Sequence, residues 1–454
     1  MKIAVAGTGY VGLVTGVALA HIGHNVTCVD VDEKKINLMR QGISPIYEKD
    51  LENLMEINKE RLNYTTNYKE AYQEADVIFI GVGTPEREDG SANLDYLYMV
   101  LDQIADSIEK DVVIVVKSTV PIGTNDEVEI YINNKIKPGI KVMIVSNPEF
   151  LAQGTAVHDT LYATRIVIGV EEEEAKKIMT SLYKPLTEDP YNVPLLVMDR
   201  KSAEMVKYAS NDFLALKISY MNELANFAEK IGADISLVAK GMSYDPRIGN
   251  KFLNSGIGYG GSCFPKDTKA LYFSSKLYNS EIKTIGACIE VNESQKIILF
   301  KKLKEKFKNL ENLQIAILGL TFKPGTDDVR ESPALINTKL LLKEKAIIKA
   351  YDPIGVSNFN RVLFNDETMA KHKEQISYYN TIEDTISNCQ AVLIMTEWPD
   401  IKEFDLKKYE NLMDKPYIFD GRNCYDLKNI SKYEIYYNSI GRKVIDNSKE
   451  KISL

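Results

Sequence analysis

The first part of the chain alternates short apolar runs with amphipathic helical stretches. Each apolar run is followed by glycine or polar residues, and the predicted strands lie at residues 2–6, 26–29, 75–80, 112–116 and 142–145. This alternation is typical of a parallel sheet covered by helices. Because ligands bind at the C-terminal ends of such strands, the polar residues there are candidates for a binding site.

A long helical pattern follows, and then the strand pattern returns. Residues 202–231 carry apolar side chains at helical spacing, and Gly232 is a plausible C-cap. Such a helix would be roughly 45 Å long, which suits a connector between domains and a dimer surface. After the charged stretch 301–308, a second α/β pattern begins. Its strands are predicted at 315–319, 347–352 and 391–396, and a helix is predicted to open at Ser332-Pro333.

The first predicted turn carries the pattern Gly-x-Gly-x-x-Gly. Gly7, Gly9 and Gly12 lie between a strand and a helix, and Asp30 closes the next strand 18 residues after the third glycine. The first glycine permits a tight turn, the second lets a pyrophosphate approach the backbone, and the third lets helix and strand pack closely. An acid at this spacing binds an adenosine ribose and favours NAD over NADP.

Composition narrows the function further. The chain has 454 residues, 44% of them apolar, which is enough for two or three domains with real cores. A net charge of −8 favours neither nucleic acid nor an anionic membrane, and no run approaches the roughly 20 apolar residues of a membrane span. Five cysteines cannot all pair and no Cys-x-x-Cys occurs, so a reducing cytoplasm is expected. Four scattered histidines argue against a histidine-rich metal site, and no metal is predicted.

One cysteine stands in a setting that suits catalysis. Cys263 follows Gly260-Gly261-Ser262 and precedes Phe264-Pro265-Lys266-Asp267, and the proline suits the first turn of a helix. The helix dipole and Lys266 would favour a thiolate, while Asp267 would lie on the same helical face. On these residues alone, covalent catalysis and an ordinary turn with a buried cysteine are equally plausible.

The second α/β pattern lacks the triple glycine. It has Thr321-Phe322-Lys323-Pro324-Gly325 instead, which predicts a ligand other than a dinucleotide. Lys323 and Arg330 are candidate anion contacts there. A solvated charge pair on a loop is an equally good interpretation.

Taken together, these motifs resemble the UDP-glucose/GDP-mannose dehydrogenase family over nearly the whole chain. The most specific stretch runs from Asp245-Pro246-Arg247-Ile248-Gly249 through Gly258-Tyr259-Gly260 to Asp267, and the likeness extends to Phe419-Asp420-Gly421-Arg422. The resemblance implies an α/β fold with two Rossmann-like doubly wound domains, joined by a central long helix and a helical dimerisation region. The expected domains are an NAD-binding domain at 1–199, a central helical domain at 200–300, a UDP-sugar-binding domain at 301–440 and a tail at 441–454.

The resemblance also implies a reaction. Members of the UDP-glucose branch oxidise the sugar CH₂OH of UDP-glucose to the carboxylate of UDP-glucuronate, with two NAD⁺ and one water. A thiohemiacetal and a thioester on Cys263 would be the intermediates. The implied partners are the sugar nucleotide and a second copy of the chain, as a homodimer or higher homo-oligomer.

The family's functional residues carry over onto this sequence. Catalytic roles are implied for Cys263, Lys207, Asp267, Asn211, Thr119 and Glu149. Contacts to NAD are implied for Gly7, Gly9, Tyr10, Val11, Gly12, Asp30, Lys35, Thr84, Thr119, Lys266 and Arg330. Contacts to the sugar nucleotide are implied for Glu149, Phe150, Leu151, Lys207, Asn211, Arg247, Asn254, Tyr259, Gly260, Lys323 and Arg422, with Arg247 reaching the neighbouring subunit.

The sequence departs from the family pattern at two places. Gln153 stands where the family usually has an acid, which puts that position's role in water activation or sugar anchoring in doubt, and Ala163-Thr164 precede Arg165 where Pro-Asp is common. The sequence is also compatible with other functions. They are the GDP-mannose or UDP-N-acetylhexosamine branch, a two-electron β-hydroxyacid dehydrogenase, and a non-catalytic nucleotide-sugar sensor.

Overall fold

The computed structural model describes residues 1–448 of the chain. They form two compact units, the first made of residues 1–210 with 273–278 and the second of residues 211–272 with those from 279 onward. Each unit is a parallel α/β sheet covered by helices, so the predicted fold class is confirmed. Within the described residues, no helix is long and apolar enough to cross a membrane.

The first unit begins with the glycine-bearing strand. Its strands are β1 (Lys2–Ala6), β2 (Asn25–Val29), β3 (Leu62–Thr65), β4 (Val77–Ile80), β5 (Val112–Val116), β6 (Val142–Ser146), β7 (Ile166–Gly169) and β8 (Leu195–Met198). Its helices are α1 (Tyr10–His21), α2 (Glu33–Arg40), α3 (Leu51–Ile57), α4 (Tyr68–Gln73), α5 (Asp95–Ser107), α6 (Thr124–Asn133), α7 (Ala156–Leu161) and α8 (Glu173–Thr187).

The first sheet has the strand order β3-β2-β1-β4-β5-β6-β7-β8. Its pairs are parallel except β6 with β7, and the first six strands follow the order of dinucleotide-binding folds. Strands β4 and β5 are buried at every position, which is why they read as unbroken apolar runs in the sequence. The strand order reverses between β1 and β4, so the glycine turn after β1 lies at the switch point.

The long helix α9 (Arg200–Ile231) forms as predicted, and Gly232 follows it with a positive φ of 76°. Ion pairs and a hydrogen bond join its first turns to α6 of the first unit. Arg200 pairs with Asp126 and Glu129, and the buried Glu204 accepts a hydrogen bond from the Asn125 amide at 2.8 Å. The division between the two units falls inside α9, after residue 210.

The second unit contains the remaining elements. Its helices are α10 (Ile235–Ser243), α11 (Phe264–Leu277), α12 (Lys283–Lys296), α13 (Ile298–Lys306), α14 (Pro333–Lys343), α15 (Val356–Phe364), α16 (Ile382–Ile386), α17 (Pro399–Lys402), α18 (Leu406–Leu412) and α19 (Leu427–Ile430), with a 3₁₀ helix at Glu367–Gln375. Its strands are β9 (Gln314–Leu318), β10 (Ile347–Tyr351), β11 (Ile376–Tyr378), β12 (Ala391–Ile394), β13 (Tyr417–Asp420), β14 (Tyr436–Asn438) and β15 (Ile445–Asp446).

The second sheet repeats the strand order of the first. Its order is β11-β10-β9-β12-β13-β14-β15, and all pairs are parallel except the last. The second α/β pattern predicted from the sequence is therefore present. The Ser332 side chain caps α14 and Pro333 takes its first turn, as the sequence predicts. Of the predicted tail 441–454, residues 445–446 form β15, and residues 449–454 lie outside the described residues.

Candidate active site

The glycine turn of the first unit leaves room for a ligand at one position and none at another. A Cβ on Gly12 would lie 2.0 Å from the Gly7 carbonyl oxygen, so the third glycine is required for helix and strand to pack. A Cβ on Gly9 would have no heavy atom within 4 Å. The backbone at Gly9 is therefore open to a large group, as an approaching pyrophosphate requires.

Asp30 is held rigidly at the end of β2. One carboxyl oxygen accepts hydrogen bonds from the Thr8 amide at 2.8 Å and the Thr8 hydroxyl at 2.6 Å, and the other accepts from the Asp32 amide at 3.0 Å. Burial alone would raise the pKa of Asp30, but these hydrogen bonds and the charge of Lys35 outweigh it and lower the pKa. The carboxylate is thus ionised and oriented beside the glycine turn.

Other predicted cofactor residues of the first unit lie close to this turn in the fold. Tyr10 and Val11 open α1, and the Tyr10 hydroxyl donates to the Tyr47 carbonyl at 3.0 Å. The Thr84 hydroxyl, after β4, donates to the Thr119 carbonyl, after β5, at 2.7 Å. The structure therefore brings Thr84 and Thr119 together at the C-terminal edge of the sheet.

Glu149 and Lys207 form a buried ion pair in the first unit. The Lys207 Nζ donates to Glu149 Oε1 at 2.9 Å, and the two side chains are only 3% and 5% exposed. Glu149 Oε2 accepts a hydrogen bond from the Leu151 amide at 2.7 Å, which shapes the turn after β6. Both residues were predicted from the sequence as site residues, but their pairing was not predicted.

A second buried lysine adjoins this pair. The Lys117 Nζ donates to Asn147 Oδ1 at 3.2 Å, and the Tyr183 hydroxyl donates to the same oxygen at 2.6 Å. Burial lowers the pKa of Lys117 to about 8; the charge of Glu149 opposes this shift and the charge of Lys207 adds to it. In the sequence, Lys117 was noted only as the residue that follows a predicted strand. A lysine directly after five apolar strand residues could have indicated a buried amine.

The loop after Glu149 is fixed from several sides. The Arg165 guanidinium lies 4.0 Å from the centre of the Phe150 ring, and the Lys207 Nζ lies 5.6 Å from it. The buried Glu48 accepts from the Gly154 amide at 2.8 Å and from the Ala156 amide. A cavity of about 50 Å³ borders this region, lined among others by Thr15, Lys117, Glu149, Phe150, Leu151 and Tyr183.

In the second unit, the loop before Cys263 is held by side-chain amides. Asn292 accepts from the Tyr259 amide at 2.8 Å and donates to the Tyr259 carbonyl at 3.1 Å. Gln295 donates to the Gly256 carbonyl at 2.7 Å, while Asn222 accepts from the Gly256 amide at 2.8 Å. A Cβ on Gly260 would lie 2.4 Å from the Glu331 carbonyl oxygen, so this glycine is required by close packing.

Cys263 directly precedes α11, as the sequence predicts. Helix α11 begins at Phe264, and the Asp267 amide donates to the Cys263 carbonyl at 2.8 Å. The thiol is partly exposed, and the Ser262 hydroxyl lies 3.8 Å from its sulfur. Of the other four cysteines, Cys28, Cys288 and Cys389 are buried. Cys263 therefore combines access with a helix N-terminus.

Asp267 is nearly inaccessible yet held by two partners. Asn211 donates to one of its oxygens at 2.6 Å, and the Lys266 Nζ lies 2.9 Å from the other. The carboxyl side chain is 1% exposed, whereas that of Lys266 is 18% exposed. The structure thus brings Asn211, Lys266 and Asp267 together one helical turn from Cys263, and the lysine pairs with Asp267.

The loops after β9, β12 and β13 bring further candidates near the Cys263 loop. The Gly261 amide donates to the Arg330 carbonyl at 2.9 Å, and the Arg330 guanidinium pairs with Asp328. The Lys323 Nζ lies 5.7 Å from the centre of the Phe322 ring. Arg422 donates to the Met395 carbonyl at 2.8 Å and to the Phe322 carbonyl at 3.2 Å.

Two predicted substrate residues are exposed in the structure. The Arg247 side chain is 87% exposed and pairs with Asp245, and Asn254 is exposed. Their predicted contacts with the sugar nucleotide stay predictions, as do the cofactor contacts of Lys266 and Arg330. Within residues 1–448, no group of three or more His, Cys, Asp or Glu side chains is arranged to hold a metal ion.

Three consecutive parts of the chain match one protein family. Residues 1–187 match the NAD binding domain of the UDP-glucose/GDP-mannose dehydrogenase family, residues 201–294 its central domain, and residues 316–427 its UDP binding domain. The chain is 46% identical over 447 residues to a UDP-glucose 6-dehydrogenase of Bacillus subtilis, YwqF, covering 98% of both chains. It is 40% identical to a UDP-glucose 6-dehydrogenase of Rhizobium meliloti, covering 97% of this chain and 100% of that one.

Solved structures agree with these matches. A UDP-glucose dehydrogenase of Pyrobaculum islandicum superposes with a TM-score of 0.88 at 34% identity, covering 97% of this chain and 98% of that one. A UDP-D-ManNAc dehydrogenase of Pyrococcus horikoshii superposes with a TM-score of 0.84 at 25% identity, covering 99% of this chain and 100% of that one. With its two sheets, its glycine turn and its three matching domains, the chain belongs to the UDP-glucose/GDP-mannose dehydrogenase family.

Proposed function

We propose that this chain oxidises UDP-glucose to UDP-glucuronate, with two NAD⁺ and one water consumed per sugar nucleotide. The observation that carries the proposal is the partly exposed Cys263 at the start of α11, one turn from an Asp267 held by Asn211 and Lys266. The relatives named UDP-glucose 6-dehydrogenase, which match over nearly the full chain, support this substrate.

The first unit fits the dinucleotide. The open backbone at Gly9 gives a pyrophosphate room, and the ionised Asp30 would accept hydrogen bonds from a ribose and repel a 2′-phosphate. When bound, NAD⁺ supplies the hydride acceptor for both oxidation steps. The contacts would be completed by Gly7, Tyr10, Val11, Gly12, Lys35, Thr84 and Thr119.

Asp267 and Asn211 would act on the hydroxyl group of the substrate in the first oxidation. Oxidation of the CH₂OH group to an aldehyde removes a hydride from carbon and a proton from oxygen. Asp267, ordered by its two partners, would take that proton through a water, and Asn211 would hold the oxygen. Lys207 would stabilise negative charge that develops on this oxygen.

Cys263 would make the second oxidation possible. Its sulfur adds to the aldehyde carbon and forms a thiohemiacetal, whose oxidation gives a thioester. Water then adds to the thioester carbon, the C–S bond breaks, and the carboxylate and the thiol are released. Glu149 and Thr119 would position that water. The contact with Lys207 at 2.9 Å fixes the position of the Glu149 side chain for this role.

The remaining site candidates would bind the sugar nucleotide. Lys323 and Arg422 bring cationic groups onto loops of the second unit, and these groups would contact the diphosphate. Phe150, Leu151, Asn254, Tyr259 and Gly260 would contact the sugar and its neighbours, and Arg247 would reach the site of another subunit.

We also propose a homodimer in a reducing cytoplasm. Met205, Phe213, Tyr220 and Phe227 are exposed on α9 at spacings of seven or eight residues, which puts them on one helical face. An apolar stripe of this kind suits a second copy of the chain. None of the five cysteines, all of which lie within residues 1–448, forms a disulfide, in keeping with reducing conditions. Light scattering on the purified chain, with Phe227→Asp as the disrupting variant, tests the dimer.

The deciding experiment measures NADH formed per sugar nucleotide consumed, on UDP-glucose, GDP-mannose and UDP-N-acetylhexosamines. We expect two NADH per UDP-glucose and UDP-glucuronate as the product. One NADH with a released aldehyde or ketone would contradict the four-electron reaction. Faster turnover of another sugar nucleotide would move the chain to a different branch of its family.

A matched pair of variants tests the nucleophile. Cys263→Ser should stop the reaction after the aldehyde or trap an ester, because a serine hydroxyl is not ionised near neutral pH. Alkylation should inactivate the wild type with protection by UDP-glucose. Cys424→Ser is the control, since Cys424 is also partly exposed and this variant should still be inactivated. Full turnover by Cys263→Ala would refute covalent catalysis.

A further inference from the structure

Asp212 is a carboxyl group buried in the second unit. It lies on α9 directly after Asn211, is 2% exposed, and neither of its carboxyl oxygens has a hydrogen-bond partner within residues 1–448. A buried carboxylate without a cation or hydrogen bond is very unfavourable, so such groups take up a proton instead. Sequence reasoning assigned this residue no role.

The titratable groups that interact electrostatically with Asp212 come from three places in the second unit. They are Asp267 on α11, Tyr259 in the preceding loop and Cys288 on α12. Cys288 and Tyr259 are near each other, at 3.6 Å, and Cys288 also contacts Ser219. None of these groups is cationic, so nothing among them compensates a negative charge on Asp212.

Asp212 and Asp267 therefore form an unequal pair of carboxyl groups. Asp267 has Asn211 and Lys266 as partners, whereas Asp212 has neither a hydrogen bond nor a cation among the described residues. Burial, and to a smaller extent the negative charge of Asp267, raise the pKa of Asp212 to about 8. When environments separate two neighbouring carboxyl groups in this way, one is the acid and the other the ionised group.

We propose that Asp212 is a positioning residue that stays a neutral carboxylic acid in the working enzyme, so that no second negative charge lies beside Asp267. The proposal deepens the proposed function, because it concerns the acid–base carboxylate of that site. Ionisation of Asp212 would place a second negative charge in the buried surroundings of Asp267. The proton on Asp212 thus keeps Asp267 able to accept the substrate's proton.

Infrared spectroscopy tests the protonation without any substrate. A protonated carboxylic acid has a C=O stretching band that a carboxylate lacks. The difference spectrum of wild type minus Asp212→Asn should contain this band at pH 7 and lose it as the pH rises through about 8. Absence of the band at pH 7 would overturn the proposal, whether or not the chain oxidises UDP-glucose. Asp212→Ala provides the same comparison if the asparagine variant does not fold.

Kinetics test the consequence for Asp267. With a pKa of about 8, Asp212 is roughly nine-tenths protonated at pH 7 and one-tenth protonated at pH 9. If only the protonated form works, the ratio of kcat/KM of Asp212→Asn to that of wild type rises about tenfold between these pH values. Glu290→Gln, which removes an exposed carboxyl group on α12, is the control, and its kcat/KM relative to wild type should not change with pH.

A ratio for Asp212→Asn that does not change with pH would show a merely structural role. If the wild type turned over no UDP-glucose, the proposed function would fail while the infrared result still decided the state of Asp212.

Discussion

Replacing Lys117 by methionine should stabilise the first unit at neutral pH. The change removes a buried amine beside Glu149 and keeps a side chain of similar length. Asn147 Oδ1 stays satisfied without the lysine, because the Tyr183 hydroxyl still donates to it at 2.6 Å. Glu149 keeps its ion pair with Lys207. The principal loss is therefore a charge that burial disfavours.

The magnitude follows from the pKa of Lys117. It is about 8 in the folded chain and 10.5 when the amine is free in water. The two values differ by about 2.5, and at 1.36 kcal/mol for each whole pKa step the charged amine costs the fold about 3 kcal/mol. Below pH 8 this cost is fully present. Between pH 8 and 10.5 the unfolded chain binds the proton more readily, so the stability of the wild type rises with pH.

Calorimetry of both proteins at pH 7 and pH 10 checks this prediction. For a unit of this size, about 3 kcal/mol corresponds to a Tm increase of roughly 6–12 °C for Lys117→Met at pH 7. The advantage should shrink as the pH approaches 10.5. Lys177→Met, which removes an exposed lysine on α8, is the control. A Tm difference that is absent, negative or independent of pH would refute the idea of a desolvated cation at this position.

Three further predictions concern the cofactor turn and the ion pair. Asp30→Ala should narrow the preference for NAD⁺ over NADP⁺ in kcat/KM, and equal use of both by the wild type would contradict the role of Asp30. Gly9→Ala should fold normally and bind NAD⁺ weakly in calorimetric titration, whereas Gly12→Ala should lower the Tm because its methyl group would collide with the Gly7 carbonyl. Lys207→Met or Glu149→Gln should each cost about 3–5 kcal/mol of stability, and the double variant should cost less than the two singles together, because neither charge is then left buried alone.

The parts of the fold that sequence predicted are those with a local pattern. The apolar periodicity of α9, the glycine that ends it and the Ser332-Pro333 start of α14 each depend on residues within a few positions of one another. The glycine turn was equally easy to predict from the sequence. A side chain on Gly12 would collide with the Gly7 carbonyl, so the requirement for glycine depends only on neighbouring residues.

The parts that sequence could not predict depend on residues far apart in the chain. Asn292 and Gln295 hold the loop before Cys263 across 33 and 39 residues, and Glu48 caps the loop after Glu149 across more than 100. Each is an ordinary polar residue on a helix or loop, and no spacing rule connects it to its partner. The protonated state of Asp212 was hidden for the same reason, since burial is a property of the folded chain.

The acid of the second sheet limits how that half of the chain could be redesigned. Asp352 ends β10 as Asp30 ends β2, but one of its oxygens already accepts from the Leu320 amide at 2.7 Å and the Trp398 ring nitrogen at 3.0 Å, and the group is 4% exposed. Restoring three glycines after β9 would thus not create a second dinucleotide site, because the acid would meet an indole instead of a ribose. An engineer would have to replace Trp398 first, and lose the packing of a large buried ring in doing so.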